Sequence, residues 1–438
     1  MLKNANWYNK YVKQGSLVKS FGIYTIARVL NSCIPFLLLP VMTAYLSPGD
    51  YGTISMITTM ASFTMPFVTL RVEDAIVRRY YYNNENIAVY IGNCLFIVTA
   101  MMFFITLLFI AFASFISEKI QVPAVILFII PFYCVLHFFK TIFLYYWQVK
   151  QKPVQFGVIN ISATVLELLL AIILVVACKM NWVGRAISIF TAAASVAIVA
   201  FVYLLRNNMI KLQFDKDRLT HALKYGIGLV PAGIGASLMV SVNRFFITDM
   251  VCIEETGLYG VATSFASMIS FVTGSFNNAF VPWLFPQLKK EDIKTKRKIV
   301  KVSYLYMFFL FVVAFVGFLL IKLVLPVFVN DKFYDAEKYI PFLLLGYCFQ
   351  GCYLMVTNYI MYVEKTYYTA AITLVCGFAS IGLNYVFISS MGAIGASVAF
   401  AITFCLFFLM TWVLSAKLYK MPWILGWDWV NNLLHKQK

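Results

Sequence analysis

Five ionisable side chains stand well inside long apolar runs: Arg28, Arg71, Lys140, Glu167 and Arg244. An ionised group near the centre of a bilayer is costly, so such residues usually face a cavity or an ionic partner. Four of the five are cationic, and a cavity they line would favour an anion; the planar arginine fork suits phosphate oxygens in particular. Arg28 lies about eleven residues into the first run, roughly 16 Å deep and so near the midplane. Glu167 is similarly deep in the fifth run, where it reads as a charge partner of Arg28 or as a residue whose protonation changes during a cycle. Arg71 lies toward the cytoplasmic end of the second run, Arg244 toward the outer end of the seventh, and Lys140 in the fourth with His137 one turn before it. Snorkelling to the headgroups is the alternative for Lys140, Arg71 and Arg244, and packing or hydrogen bonding for His137.

Polar neighbours extend this set. Asn31 follows Arg28 by three residues, on nearly the same helix face. Asn277 and Asn278, and Asn243 beside Arg244, suit sugar or phosphate contacts, and they suit bonding between helices equally well. In "TLRVEDAIVRRYYYNNEN" (Thr69 to Asn86) the residues Arg71, Asp74 and Arg78 fall at i, i+3 and i+7, on one face. Glu73 and Asp74 are candidate charge partners there. Arg78, Arg79 and the polar tail read as a cytoplasmic turn that anchors topology.

The elements that must hold these residues are membrane helices. The chain has 438 residues, 62% hydrophobic and 12% charged, against about 25% charged in a soluble domain. Apolar runs of roughly 18 residues or more recur from end to end, each long enough to cross a bilayer. Pro, Gly and charge clusters delimit twelve predicted spans: 17–45, 51–77, 87–113, 122–148, 153–178, 182–205, 222–248, 257–286, 300–325, 339–363, 367–389 and 393–416. A barrel is excluded because its strands would alternate apolar and polar residues. The loops between spans are short and leave little room for an extramembrane catalytic domain.

Lys and Arg crowd alternate loops, whereas the others hold only Lys119, Lys179, Lys332 and Lys338, with Arg185 near an edge. That bias puts both termini in the cytoplasm. The net charge of +17 is therefore largely topological, and because the basic residues are dispersed, a nucleic-acid partner is not expected. The N-terminus lacks the pattern of a cleaved signal peptide. The nine cysteines lie almost all within apolar runs and read as small hydrophobes. No metal or cofactor is expected, since no His or Cys completes a site near Cys348 and Cys352.

The chain also reads as a duplication. "DYGTISMITTMASF" (Asp50 to Phe63) resembles "LYGVATSFASMISF" (Leu258 to Phe271) at an offset of 208, and "NWVGRAIS" aligns weakly with "GAIGASVA" at 211. Such an offset gives six helices per half in one orientation, related by a pseudo-two-fold along the membrane normal. The predicted organisation is an interfacial N-terminus (1–16), a six-helix lobe (17–205), a cytoplasmic linker (206–221), a second six-helix lobe (222–416) and an interfacial tail (417–438). Pro35 and Pro40 in the first helix, and Gly226, Gly228, Pro231, Gly233 and Gly235 in the seventh, mark these as the moving elements.

The segment from Ala27 to Tyr82 resembles the opening of the bacterial polysaccharide-biosynthesis membrane proteins, the Wzx-type lipid-linked oligosaccharide flippases of the MATE-like (MOP) superfamily. The resemblance rests on the Leu- and Pro-rich end of helix one, the "LSPGDYG" turn, and the acidic-Ala-Ile-x-Arg pattern Asp74-Ala75-Ile76-Val77-Arg78. "MGAIGASVAFAIT" (Met391 to Thr403) is also similar. The resemblance implies two six-helix bundles that alternate between inward- and outward-open states. It implies as substrate an undecaprenyl-pyrophosphate-linked oligosaccharide, moved to the outer leaflet of the bacterial cytoplasmic (inner) membrane for O-antigen or capsule assembly. It implies Arg28, with Arg71 and Arg244, at the pyrophosphate, and as partners the polymerase and chain-length regulator of the same pathway. Two other readings compete. A MATE-type exporter of organic cations would want an acidic cavity, and a membrane-embedded polymerase or acyltransferase would want a sizeable outer loop or a His/Asp-bearing site.

Overall fold

The computed structural model describes residues 36–82, 86–290 and 292–423. Arg28, Asn31, Pro35, the N-terminal segment 1–16 and the tail beyond Trp423 lie outside them. The described chain is built of helices, in chain order α1 (Phe36–Tyr45), α2 (Pro48–Thr69), α3 (Val72–Tyr82), α4 (Ile87–Ala111), α5 (Ala113–Ile120), α6 (Ala124–Val149) and α7 (Pro153–Ala171). After a π-helical turn at Ile172–Ala177 come α8 (Asn181–Arg206), α9 (Lys216–Met250), α10 (Ile253–Ala266), α11 (Met268–Leu288) and α12 (Ile293–Phe328). A 3-10 segment, Asp331–Tyr339, leads into α13 (Ile340–Tyr362), followed by α14 (Thr366–Met391) and α15 (Ile394–Leu418).

Among the described residues nine helical segments are long and apolar enough to cross a membrane, or ten if the bent pair α2 and α3 counts as one. The first predicted span is described only from Phe36. This multi-pass, all-helical architecture is the predicted class, with two differences in detail. The eighth predicted span, 257–286, corresponds to α10 and α11, which adjoin at Ser267 and fall outside the nine; Asn277, Asn278 and several Ser and Thr residues make it less apolar. The second span is not continuous.

That break lies in the segment of greatest interest. Ser47 opens α2 with a capping box: its hydroxyl accepts from the Asp50 N–H at 3.1 Å and Asp50 Oδ2 accepts from the Ser47 N–H at 3.1 Å, the role expected of Ser-x-x-Asp before an apolar run. Pro48 at the first helical position gives up no bond. Pro66 has no N–H and so releases the Ser62 carbonyl, which accepts from the Ser237 hydroxyl at 3.4 Å. One turn later the helix ends. Leu70 and Arg71 both adopt left-handed backbone, φ 45° and 56°, at a cost of roughly 1–2 kcal/mol each for L-residues. The axis turns by 56° into α3.

Surrounding contacts hold this conformation. Thr69 Oγ1 accepts from the Arg71 N–H at 3.2 Å and donates to Glu73 Oε1 at 3.3 Å. Gly226 of α9 admits the Leu70 carbonyl, which would lie 2.2 Å from a Cβ there. α9 thus runs antiparallel along α2 through one stripe: Gly226 on Leu70, Gly233 on Pro66, Ser237 on Ser62 and Arg244 on Thr59. Because α3 is helical through Tyr82, Arg78 and Arg79 belong to a helix and not to the turn expected from sequence.

α2 and α10 meet through glycines. Gly52 of α2 packs on the Ile253 carbonyl, Gly257 of α10 on the Pro48 carbonyl, and Gly260 against Tyr51 and Ser55. At the same end Lys119 donates to Asp249 Oδ1 at 2.8 Å, and this bond raises the lysine pKa above its ordinary value.

By packing, the chain forms two compact units. One runs through Ser237 and takes in Arg244–Val261 and Phe328–Tyr334; the other holds Leu238–Asn243, Ala262–Val327 and the chain from Asp335 onward. The predicted lobes divide the chain by repeat, and these units divide it by contact, so most of α9 counts with the first unit. That unit's core is drawn from α2, α3, α4 and α6, with Met56, Val68, Tyr90, Cys94, Leu127 and Cys134 fully buried. The linker is fixed within it: Lys211 N–H donates to the Ala88 carbonyl at 3.0 Å, and Asn93 bridges Gln213 O and Asp215 N.

Candidate functional site, a basic cavity beside the broken helix

The break turns Arg71 toward a cavity of about 640 Å³ within the first unit, lined by α3, α6 and α9. Arg71, Asp74, Arg78 and Tyr81 line it from the broken helix, Tyr145 and Gln148 from α6, and Tyr225 from α9. The spacing of Arg71, Asp74 and Arg78 seen in the sequence therefore does bring the three to one surface. Arg71 Nη2 pairs with Asp74 Oδ2 at 2.8 Å. The Arg78 guanidinium lies 4.9 Å from the centroid of the Tyr225 ring, a cation–π contact that holds it against the wall. Among the described lining residues, two guanidinium groups and one carboxylate give a formal charge of +1.

Glu73 points elsewhere. It is only 7% exposed and takes its bond from Thr69, so of the two carboxylates in the first turn of α3 only Asp74 faces the cavity. Both sit where the helix dipole favours a negative charge.

Of the other predicted site residues, Arg28 and Asn31 lie outside the described residues, and Arg244, Asn277 and Glu167 are not among those that line this cavity. Arg244 donates from Nη1 to Thr59 Oγ1 at 3.2 Å, about 16 Å further along α9 than Gly233, the neighbour of Arg71. Asn277 belongs to the second unit, where its Oδ1 accepts from Asn358 Nδ2 at 2.8 Å; this is the helix-to-helix bonding that was one of its two readings. Glu167 pairs with Arg185 Nη2 at 2.7 Å, and Arg185 Nη1 also donates to Ser188 Oγ at 3.2 Å. His137 lines a smaller cavity of about 130 Å³ with Thr58, Ser62 and Tyr133, and its Nδ1 lies 3.3 Å from Thr141 Oγ1.

Sequence reasoning missed Arg185 as the partner of Glu167, having left it near an edge. It also missed Arg78, Tyr81, Tyr145, Gln148 and Tyr225 as cavity residues; for Arg78 the two-turn spacing from Arg71 was the available signal. The Glu167–Arg185 pair is largely buried, so Arg185→Leu leaves an uncompensated carboxylate and should cost about 3 kcal/mol. Adding Glu167→Leu should recover much of that loss. Thermal melting of both single variants and the double variant measures the non-additivity.

Comparison with known proteins follows the same line. The family described as "Polysaccharide biosynthesis protein" matches residues 17–288, more than half of the chain. An uncharacterized membrane protein of Haemophilus influenzae is 26% identical over 355 residues, covering 80% of this chain and 85% of that protein. A multidrug resistance MATE family transporter of the MOP superfamily, solved in an inward-facing conformation, superposes with a TM-score of 0.70 at 12% identity, over 90% of this chain and 97% of that one. The lipid II flippase MurJ, solved in an inward closed conformation, gives a TM-score of 0.67 at 13% identity, over 90% of this chain and 87% of that one. The fold is therefore of the MATE/MOP type.

Proposed function

The chain belongs to the polysaccharide biosynthesis protein family, and from that membership we propose that it is a flippase for an undecaprenyl-pyrophosphate-linked oligosaccharide. It carries the repeat unit from the inner to the outer leaflet of the bacterial cytoplasmic membrane by alternating access, for O-antigen or capsule assembly. The observation that carries this reading is the lining of the 640 Å³ cavity. Arg71 and Arg78 offer forks to phosphate oxygens, while Tyr81, Tyr145, Tyr225 and Gln148 offer ring faces and hydrogen-bonding groups to sugars. The volume falls within the roughly 300–1,000 Å³ of ligand sites. Two arginines against one carboxylate disfavour the organic cations of a drug exporter.

Arg28 lies outside the described residues, and its depth in the sequence of the first span makes it our candidate for a further cationic contact. Arg28→Ala should abolish outer-leaflet delivery while leaving membrane insertion intact, and Arg28→Lys should rescue only in part because the fork is lost. Deletion of the gene, followed by leaflet-resolved analysis of lipid-linked intermediates, tests the function as a whole. A flippase loss leaves complete repeat units facing the cytoplasm and no surface glycan. Accumulation of single units on the outer leaflet would identify a polymerase instead.

A further inference from the structure

The geometry points to Asp74 as an internal counter-ion of the cavity, one that pairs with Arg71 until a phosphate takes its place and so sets how tightly the anion is held and how fast it leaves. This rests on the anionic-substrate reading above and deepens it. Asp74 is the sole acidic residue among the described residues that line the cavity. Its carboxylate engages one corner of the Arg71 fork, Nη2 at 2.8 Å. Arg71 Nε is buried and has no hydrogen-bond partner among the described residues. A phosphate can take the Nε–Nη2 edge of a guanidinium as a bidentate pair, which is the stronger arrangement.

The side chains of Arg71 and Asp74 are 41% and 23% exposed, so the pair is solvated enough to open at modest cost. Its position reinforces the exchange. Arg71 precedes the first residue of α3, at the positive end of the helix dipole, where a cation is unfavourable unless a negative charge stands beside it. Asp74 supplies that charge while the cavity holds no anion, and a phosphate supplies it when bound. Without Asp74 the two arginines would hold a pyrophosphate at full formal charge, with nothing to compete for Arg71 on release.

The test uses full-length protein and two readouts. Inorganic pyrophosphate is titrated calorimetrically into wild type, Asp74→Asn, Asp74→Glu and Arg71→Ala. Asparagine retains an acceptor for the first turn of α3 but no charge, and it should tighten binding about fivefold, the upper value of a partly exposed ion pair. Glutamate should restore wild-type affinity. In translocation assays Asp74→Asn should lower KM and kcat together, because retention slows release. If wild type binds pyrophosphate and Arg71→Ala does not, but Asp74→Asn binds equally or more weakly, Asp74 is only a structural residue and the inference fails. If wild type and Arg71→Ala are alike in failing to bind, the anion-binding cavity itself is wrong and this inference falls with it.

Discussion

Arg71→Ala combined with Arg78→Ala should eliminate delivery of lipid-linked glycan to the outer leaflet while leaving the protein folded and inserted. On the proposed reading each arginine makes charge-assisted hydrogen bonds to phosphate, contacts worth about 1.5–3 kcal/mol each. Loss of one should therefore reduce transport about tenfold to a hundredfold, and loss of both should take it below detection. The folded state should barely notice. Arg71 is 41% exposed in a pair with Asp74, and such pairs contribute about 0–1 kcal/mol to stability. Arg78 is exposed and rests on the Tyr225 ring, a contact of about 0.5–1 kcal/mol at an exposed site. Lysine at both positions should recover only part of the activity, since a point charge lacks the fork. Surface glycan together with the melting temperature of the purified variant separates loss of the site from loss of the fold.

Gly226→Ala and Gly257→Ala should each destabilise the packed first unit, by about 1–3 kcal/mol or more. A Cβ on Gly226 would lie 2.2 Å from the Leu70 carbonyl oxygen, and one on Gly257 would lie 2.0 Å from that of Pro48. In both cases the obstacle is backbone, which cannot rotate aside, so the helices must separate. At Gly226 the consequence reaches the site, because Leu70 is half of the left-handed break that presents Arg71. Gly228 is the control on the same helix. Nothing lies within 4 Å of a Cβ there, so Gly228→Ala should be neutral or gain about 0.5–1 kcal/mol from helix propensity. Thermal unfolding of the three variants in one detergent should give two large falls and one unchanged or raised midpoint. Equal midpoints would contradict the close packing of α9 on α3 and of α10 on α2.

How much of this was legible in the sequence depended on whether the signal was local. Ser47-Pro48-Gly49-Asp50 announces a helix start through its own atoms, and the structure has the capping box there. The apolar runs announce spans in the same way. The Tyr-Gly pairs at 51–52 and 259–260, matched in the sequence, lie where α2 and α10 pack together. The break at Leu70–Arg71 was not legible. Neither residue is Gly, Asn or Asp, and the conformation is held by Thr69 and by a glycine 156 positions away on α9. Glu167 shows the limit of charge reasoning: its depth marked it as needing a partner, but the partner, Arg185, comes from the next helix, and only packing chooses it. Arg71 and Arg244 read in the sequence as cations toward opposite ends of their spans, both candidates for the same anion. Their environments differ because α2 and α9 run antiparallel, which carries one to the cavity and the other to Thr59.

The central claim is that this basic cavity carries a pyrophosphate-linked glycan across the bilayer, and a reconstituted leaflet assay tests it most directly. Purified protein in proteoliposomes is supplied with an undecaprenyl-pyrophosphate-linked oligosaccharide in one leaflet, and its appearance in the other is followed with a membrane-impermeant glycosidase. Wild type should make the glycan accessible, and Arg71→Ala/Arg78→Ala should not. Equal accessibility with both proteins, or none with wild type, would contradict the proposed function.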